Sequence, residues 1–157
     1  MQKRSAGILV YRRRDRALEV FLVHPGGPFW AGKDRGAWTI PKGEYTDEEQ
    51  PLDAAIREFK EETGFALAGK FVELGTITQA SGKVVSAWAC AGDVDPEKLT
   101  SNSCQIEWPP HSGRSMTIPE VDRGGWFALA EAKTRILPAQ QPFLDRLPKL
   151  LVERDCG

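Results

Sequence analysis

Glu58, Glu61 and Glu62 stand at positions i, i+3 and i+4 of a segment with helical character. At about 100° per residue they span an arc of about 100°, so the three carboxylates share one helix face. Like charges at this spacing repel by roughly a few tenths of a kcal/mol per exposed pair. A fold has no need of that arrangement, and a cation would relieve it. Oxygen-only donors favour hard ions such as Mg²⁺ or Mn²⁺ over zinc. Mg²⁺ takes a few carboxylates together with water and substrate phosphates. The chemistry indicated is metal-assisted work on phosphates. From these three residues alone, an acidic solvated helix face is an equal competitor.

The elements that must carry these residues can be read from pattern. Pro51 suits the first turn of a helix, Asp47, Glu48 and Glu49 sit near its positive end, and Gly64 is a natural C-terminal cap. Leu52, Ala55, Ile56 and Phe59 form an apolar stripe beside the acids, predicted to lie on a sheet. Strands are predicted over 8–11 and 18–23, joined as a hairpin by the polar run Arg12-Arg13-Arg14-Asp15-Arg16. That run is expected to be a solvated tip. A short strand is predicted over 37–40, ended by Pro41-Lys42-Gly43, with further strands over 71–79, 83–91 and 125–129. The last leads into a helix near 130–134, and a final helix is predicted over 138–153, with Pro148 bending it or shifting its start. Residues 25–36 and 101–119 read as loops. The pattern is that of a mixed α/β layered domain.

Composition narrows the function classes. The chain has 157 residues, 41% hydrophobic and 27% charged, which is ordinary for one globular domain. The net charge is -1, without the basic excess of a duplex nucleic-acid binder. RNA-end processing needs a basic groove, so it stays open only through Arg12, Arg13, Arg14 and Arg16. No run approaches the ~18 apolar residues of a membrane helix. Cys90, Cys104 and Cys156 match no zinc spacing and read as free thiols. These features predict a soluble cytoplasmic protein and argue against a membrane or nucleic-acid partner.

The residues around the three glutamates are far more specific than the glutamates themselves. Gly43, five residues, Glu49, seven residues and Arg57-Glu58-Phe59-Lys60-Glu61-Glu62-Thr63-Gly64-Phe65 fill nine constrained positions over 23 residues. This segment resembles the signature box of the Nudix hydrolases, with Phe59 and Phe65 in its two bulky apolar slots. Chain length and strand order also resemble a minimal Nudix domain, so one Nudix hydrolase domain is expected over 1–157.

The resemblance implies an α/β/α sandwich around a mixed central sheet. It implies Glu58, Glu61 and Glu62 as metal ligands, joined by the Gly43 carbonyl, with Arg57 and Glu49 in support. It implies a further acid from a loop beyond the box: Glu120, six residues before Trp126, with Asp122 as the competitor. Glu61 or Glu120 would take the proton from the attacking water. Trp38-Thr39-Ile40-Pro41-Lys42-Gly43 is similar to the W-x-x-P-K-G stretch frequent in Nudix enzymes that cleave dinucleoside polyphosphates. There Lys42 would neutralise a phosphate, while Trp38 could stack on a base or belong to the core. Glu107-Trp108-Pro109-Pro110-His111-Ser112-Gly113-Arg114 could clamp a base or a phosphate through Arg114, or be a packed surface loop. The expected activity is Mg²⁺- or Mn²⁺-dependent hydrolysis of a nucleoside diphosphate linked to another group. A dinucleoside polyphosphate or nucleoside triphosphate is preferred. An ADP-ribose or NADH-type pyrophosphatase and a non-catalytic nucleotide sensor are the alternatives. Many Nudix domains form homodimers, and nothing in this sequence marks such an interface.

Overall fold

The computed structural model describes residues 3–156, with side chains to Val152; Met1, Gln2, Gly157 and the Cys156 thiol lie outside the described residues. The predicted hairpin forms from β1 (Arg4–Arg14) and β2 (Ala17–Pro25), turning through Asp15 and Arg16, both at positive φ. The remaining elements are β3 (Lys42–Glu44), α1 (Pro51–Thr63), β4 (Val72–Thr78), β5 (Val84–Ala91), β6 (Ser103–Glu107), β7 (Ser115–Pro119), β8 (Val121–Ala128), α2 (Leu129–Arg135) and α3 (Gln141–Cys156). The main sheet runs β4-β5-β1-β2-β8, with β3 also paired to β1. Only β1 and β5 are parallel, so the sheet is mixed.

Strand alternation sends successive side chains to two cores. Ala6, Ile8, Val10, Phe21 and Val23 face α1, where they meet Ala54, Ala55 and Phe59. Leu9, Val20 and Leu22 face the other way, onto Ala132, Phe143, Leu144 and Leu147 of α2 and α3. The result is the expected α/β/α sandwich. Among the described residues no helix is long and apolar enough to cross a membrane.

One edge of β1 is filled by β5 over Arg4–Tyr11. Its other edge is shared. β2 pairs with Tyr11–Arg14, and β3 pairs with Ser5–Gly7. β1 and β2 therefore part company at one end, and residues 38–44 enter between them. Thr39 exchanges two 2.9 Å backbone bonds with Val23, and the Ile8 amide donates to Pro41 at 3.2 Å. The strand predicted over 37–40 is thus displaced: only bridges form there, and the strand lies at Lys42–Glu44, where Pro41 was expected to end it. Proline removes one donor at its own position, and Lys42 is free to pair with Gly7.

Two other expectations are corrected. Residues 101–119 are not all loop, because β6 and β7 form a separate two-stranded ribbon. Arg12 is not part of a solvated tip: it bonds Glu19 at 2.8 Å and Asp93, and its guanidinium lies 4.0 Å from the Trp126 ring centroid.

Gly7 fixes how closely the inserted segment approaches β1. A Cβ there would lie 2.6 Å from the Pro41 carbonyl oxygen and 2.7 Å from Lys42 Cβ. Gly7→Ala is expected to cost about 1–3 kcal/mol through overpacking, read as a lower urea midpoint at unchanged m-value. Gly32, with nothing within 4 Å of its Cβ direction, tolerates Ala without loss.

Candidate active site

Pro51 opens α1, and Gly64 closes it in the left-handed region at φ 81°, its amide donating to the Lys60 carbonyl at 2.7 Å. The buried face consists of Ala54, Ala55, Glu58, Phe59 and Thr63, with Leu52 and Ile56 only half-buried. The helix is thus rotated from the expected stripe, and Glu58 is pressed against the sheet at 9% exposure. The Glu58 carboxyl lies over the Cα of Gly43 in β3. A Cβ at position 43 would come within 2.0 Å of Glu58 Cδ and Oε2, so only glycine fits. One turn on, Glu62 accepts from the Lys42 amide at 3.1 Å. The inserted segment positions two of the three acids with its own backbone.

Arg57 ties this group together. Its Nε and Nη2 donate to Glu49 at 3.0 and 2.6 Å in a bidentate pair. Its Nη1 donates to Glu58 at 2.9 Å and to Glu61 at 3.2 Å. The pair with Glu49 is the main reason the guanidinium is held above its ordinary value, and Arg57 in turn holds Glu49 below the usual carboxylate range.

Glu120 reaches the acids from the turn between β7 and β8. Its amide donates to the Asn102 carbonyl at 2.9 Å, and the Asn102 amide donates to the Glu61 carbonyl at 2.9 Å. With its side-chain amide oriented to satisfy its neighbours, Asn102 also donates to Glu120 Oε2 at 3.3 Å. Asp122 faces elsewhere and pairs with Nδ1 of buried His24 at 2.9 Å. The structure therefore brings Glu120, not Asp122, to the acids of α1. The sequence reading missed Asn102; it sits in the polar run Thr100-Ser101-Asn102-Ser103, which carries no signal of its own.

Burial pushes the Glu62 carboxyl up to about 8, against the opposing pull of Lys42. Burial also raises Glu58, which Arg57 pulls back, and raises Glu120, to which Glu61 adds. Burial lowers Lys42, helped by Lys83 and opposed by Glu62, Glu44 and Glu58. These carboxyls prefer a proton or a cation to bare charge. Among the described residues no three acidic, histidine or cysteine side chains converge closely enough to ligate an ion as they stand. Glu58 and Glu61 are turned to Arg57, and Glu62 to the Lys42 amide. The donor set still fits a hard divalent cation: all oxygen, excess negative charge and a glycine cradle beneath Glu58.

Trp38 is placed in the core rather than beside the acids. It is 4% exposed, packs edge-on to Phe127 and His24, and donates Nε1–H to Asp34 at 2.7 Å. That corrects its assignment as a substrate residue, since neither ring face is open to a base. Arg114 stands exposed at the tip of the β6–β7 ribbon, with the Trp108 amide donating to its carbonyl at 3.0 Å. At about 3.3 Å per residue it lies roughly 20 Å along the ribbon from Glu120. The turn of that tip is organised by Glu107, which accepts from the His111 and Gly113 amides at 2.9 and 3.3 Å.

The NUDIX domain model matches residues 1–147 of the chain. A protein of Enterobacteria phage T4, described as an uncharacterized 17.7 kDa protein in the e-segB intergenic region, is 30% identical over 125 residues. The match covers 78% of this chain and 80% of that protein. A crystal structure of a C. elegans Ap4A hydrolase binary complex superposes with TM-score 0.65 at 22% identity, covering 96% of this chain and 98% of that one. The NUDIX domain of Shewanella oneidensis NrtR, crystallised with ADP ribose, superposes with TM-score 0.66 at 19% identity, covering 96% and 89%. At these identities the two structures show likeness of fold.

The raised Glu62 carboxyl gives a pH signature in metal-free protein. The folded state keeps a proton that the unfolded chain releases above about 4.5, so this stabilisation is complete below 4.5 and is lost as pH rises through about 8. Relative to Glu62→Gln, wild type should melt progressively lower across that window. A difference in melting temperature that stays flat from pH 5 to 9 would show that Glu62 is ionised throughout. The same substitution is expected to abolish any stabilisation gained from added Mg²⁺.

Proposed function

The chain belongs to the NUDIX family, and on that premise we propose that residues 1–157 act as one hydrolase domain. Its reaction is Mg²⁺- or Mn²⁺-dependent hydrolysis of a phosphoanhydride in a nucleoside diphosphate linked to another group. A dinucleoside polyphosphate or a nucleoside triphosphate is the substrate class. The observation that carries this reading is the gathering of Glu58, Glu61, Glu62 and Glu120, held by Arg57, Asn102 and the Lys42–Gly43 backbone.

A divalent metal held by Glu58, Glu61, Glu62, Glu120 and the Gly43 carbonyl would screen phosphate charge and lower the pKa of a water. The chain's own residues do the rest. Arg57 orients Glu58 and Glu61 through charge-assisted hydrogen bonds. Glu61 or Glu120 accepts the proton of the attacking water. Glu120 is suited to this because burial has raised its proton affinity. The water oxygen bonds to phosphorus, the anhydride P–O bond breaks in line, and the bridging oxygen leaves on the departing phosphate. Lys42 supplies a cation beside Glu62 and Glu58, where the phosphates must lie. The Trp-x-x-Pro-Lys-Gly stretch favours polyphosphate substrates. Hydrolysis of ADP-ribose or an NADH-type substrate, or nucleotide sensing without turnover, draws support from the fold likeness to a domain crystallised with ADP ribose. The intact set of box acids favours turnover.

A substrate panel in excess Mg²⁺, with products separated by chromatography, tests the proposal. Triphosphates, diadenosine polyphosphates, ADP-ribose and NADH are each offered. One class is expected to turn over. Glu61→Gln and Glu120→Gln are expected to lower kcat by about 10²–10⁴-fold for the proton acceptor while leaving the fold intact by circular dichroism. Wild-type turnover in Glu61→Gln would remove Glu61 as the acceptor. Silence of wild type across the panel in both Mg²⁺ and Mn²⁺ would sink the hydrolase reading.

A further inference from the structure

His24, near the end of β2, is fully buried although the box chemistry has no use for it. Both of its ring nitrogens meet oxygen. Nε2 lies 2.6 Å from the Lys33 carbonyl, and Nδ1 lies 2.9 Å from Asp122 Oδ1. A carbonyl only accepts, so Nε2 carries a proton. An ionised carboxylate also only accepts, so the second contact needs a proton of its own, on Nδ1 or on Asp122. The ring is thus a two-ended tie between the loop after β2 and the start of β8. It packs edge-on against Trp38, with centroids 5.3 Å apart.

The Asp122 end of the tie falls on a β-bulge. His24 pairs with Arg123 and Pro25 with Val121, so Asp122 has no partner across the ladder. The bulge changes the phase of β8. Trp126 and Gly124 look toward α1, where Trp126 meets the Phe21 ring and a Cβ on Gly124 would strike it. Arg123 looks the other way, its guanidinium 5.3 Å from the Trp38 ring centroid. Strict alternation would send Asp122 toward α1 and Val121 toward Trp38. Instead Asp122 meets His24 on the Trp38 side, and Val121 is buried in the α1 core. One extra residue therefore sets where Glu120 stands, since a slip of one position flips every side chain beyond it.

The Lys33 end closes a circuit. The Gly26 amide donates to the Glu120 carbonyl at 3.0 Å, and a Cβ at position 26 would collide with the Pro119 carbonyl oxygen. The loop is thus fixed at Gly26 to the Glu120 peptide and at Lys33 to the ring that holds Asp122. We propose that His24 and Asp122 are positioning residues. The tie from Lys33 through His24 to Asp122 holds the β8 bulge, and the bulge aims Glu120 at the acids of α1. Neither residue touches the reacting atoms. This inference rests on the role given to Glu120 in the preceding subsection and adds what sets its position.

Amide hydrogen exchange of the full metal-free chain, read by NMR, tests the tie independently of activity. Asp122→Ala is expected to speed exchange at Gly26 and Glu120 by about 10–100-fold, the factor for losing a hydrogen bond to a charged group. The Gly64 amide at the end of α1 is expected to keep its rate. Asp122→Asn is expected to restore protection, because its side-chain amide can donate to Nδ1 once the second proton is gone. Turnover of the substrate identified in the panel gives a second readout. Asp122→Ala is expected to lower kcat by about 10–100-fold in the wild-type background and to add no further loss to Glu120→Gln. Unchanged exchange at Gly26 and Glu120 in Asp122→Ala, equal acceleration at Gly64, or the same loss of kcat in both backgrounds would overturn the proposal. If wild type turns over no substrate, the hydrolase reading falls separately and the exchange rates alone decide the tie.

Discussion

Carboxylates at close range repel, and burial makes each of them costlier to ionise. Holding Glu58, Glu62 and Glu120 near Glu61 imposes both penalties at once, and burial is the leading cause of each raised carboxyl. The surrounding structure can be understood as the set of partners that makes this arrangement tolerable. Arg57 offers Nη1 to Glu58 and Glu61 while Glu49 grips the other side of its guanidinium. The Lys42 amide and Asn102 supply neutral donors to Glu62 and Glu120. A cationic ligand would take over part of the same task.

That arrangement depends on an unusual feature of the sheet. β1 and β2 pair only at their hairpin end, and residues 38–44 occupy the gap at the other end. The gap requires glycine on both sides of the contact, Gly7 beneath Pro41 and Lys42, and Gly43 beneath Glu58. Core and site are thereby coupled. Trp38 and Ile40 anchor the inserted segment in the α2–α3 core, and three residues later the same chain cradles a carboxylate. Trp38 serves the site indirectly, by fixing where Gly43 lies.

The box segment was legible because its residues interact locally. Pro51 and Gly64 bound the helix as expected, and i, i+3 and i+4 spacing puts Glu58, Glu61 and Glu62 together without help from the rest of the chain. The two central strands were legible for a similar reason: Ile8–Tyr11 and Leu18–Val23 are near-continuous apolar runs, as strands buried on both faces must be. The ribbon was not. Its apolar residues are spaced by polar ones over only five positions per strand, and its turn carries Trp108, two prolines and a glycine, which read as loop. The displaced strand at Lys42–Glu44 was hidden by Pro41, whose effect on pairing depends on which edge of β1 is free.

The sequence by itself determined the family-like box, the boundaries of α1, the mixed α/β layering and the acidic character of the site. All of these follow from residue type and short-range spacing. Tertiary structure alone decided three other matters. It placed Glu120 rather than Asp122 next to the α1 acids, because residues 120 and 122 differ in which distant side chain they meet, Asn102 or His24. It put Trp38 in the core, because Asp34 and Phe127 converge on it from separate elements. It turned Glu58 inward, because Gly43 arrives beneath it from a strand that no local pattern announces. Each of these depends on contacts between elements, and the chain brings those contacts together only when the sheet has closed.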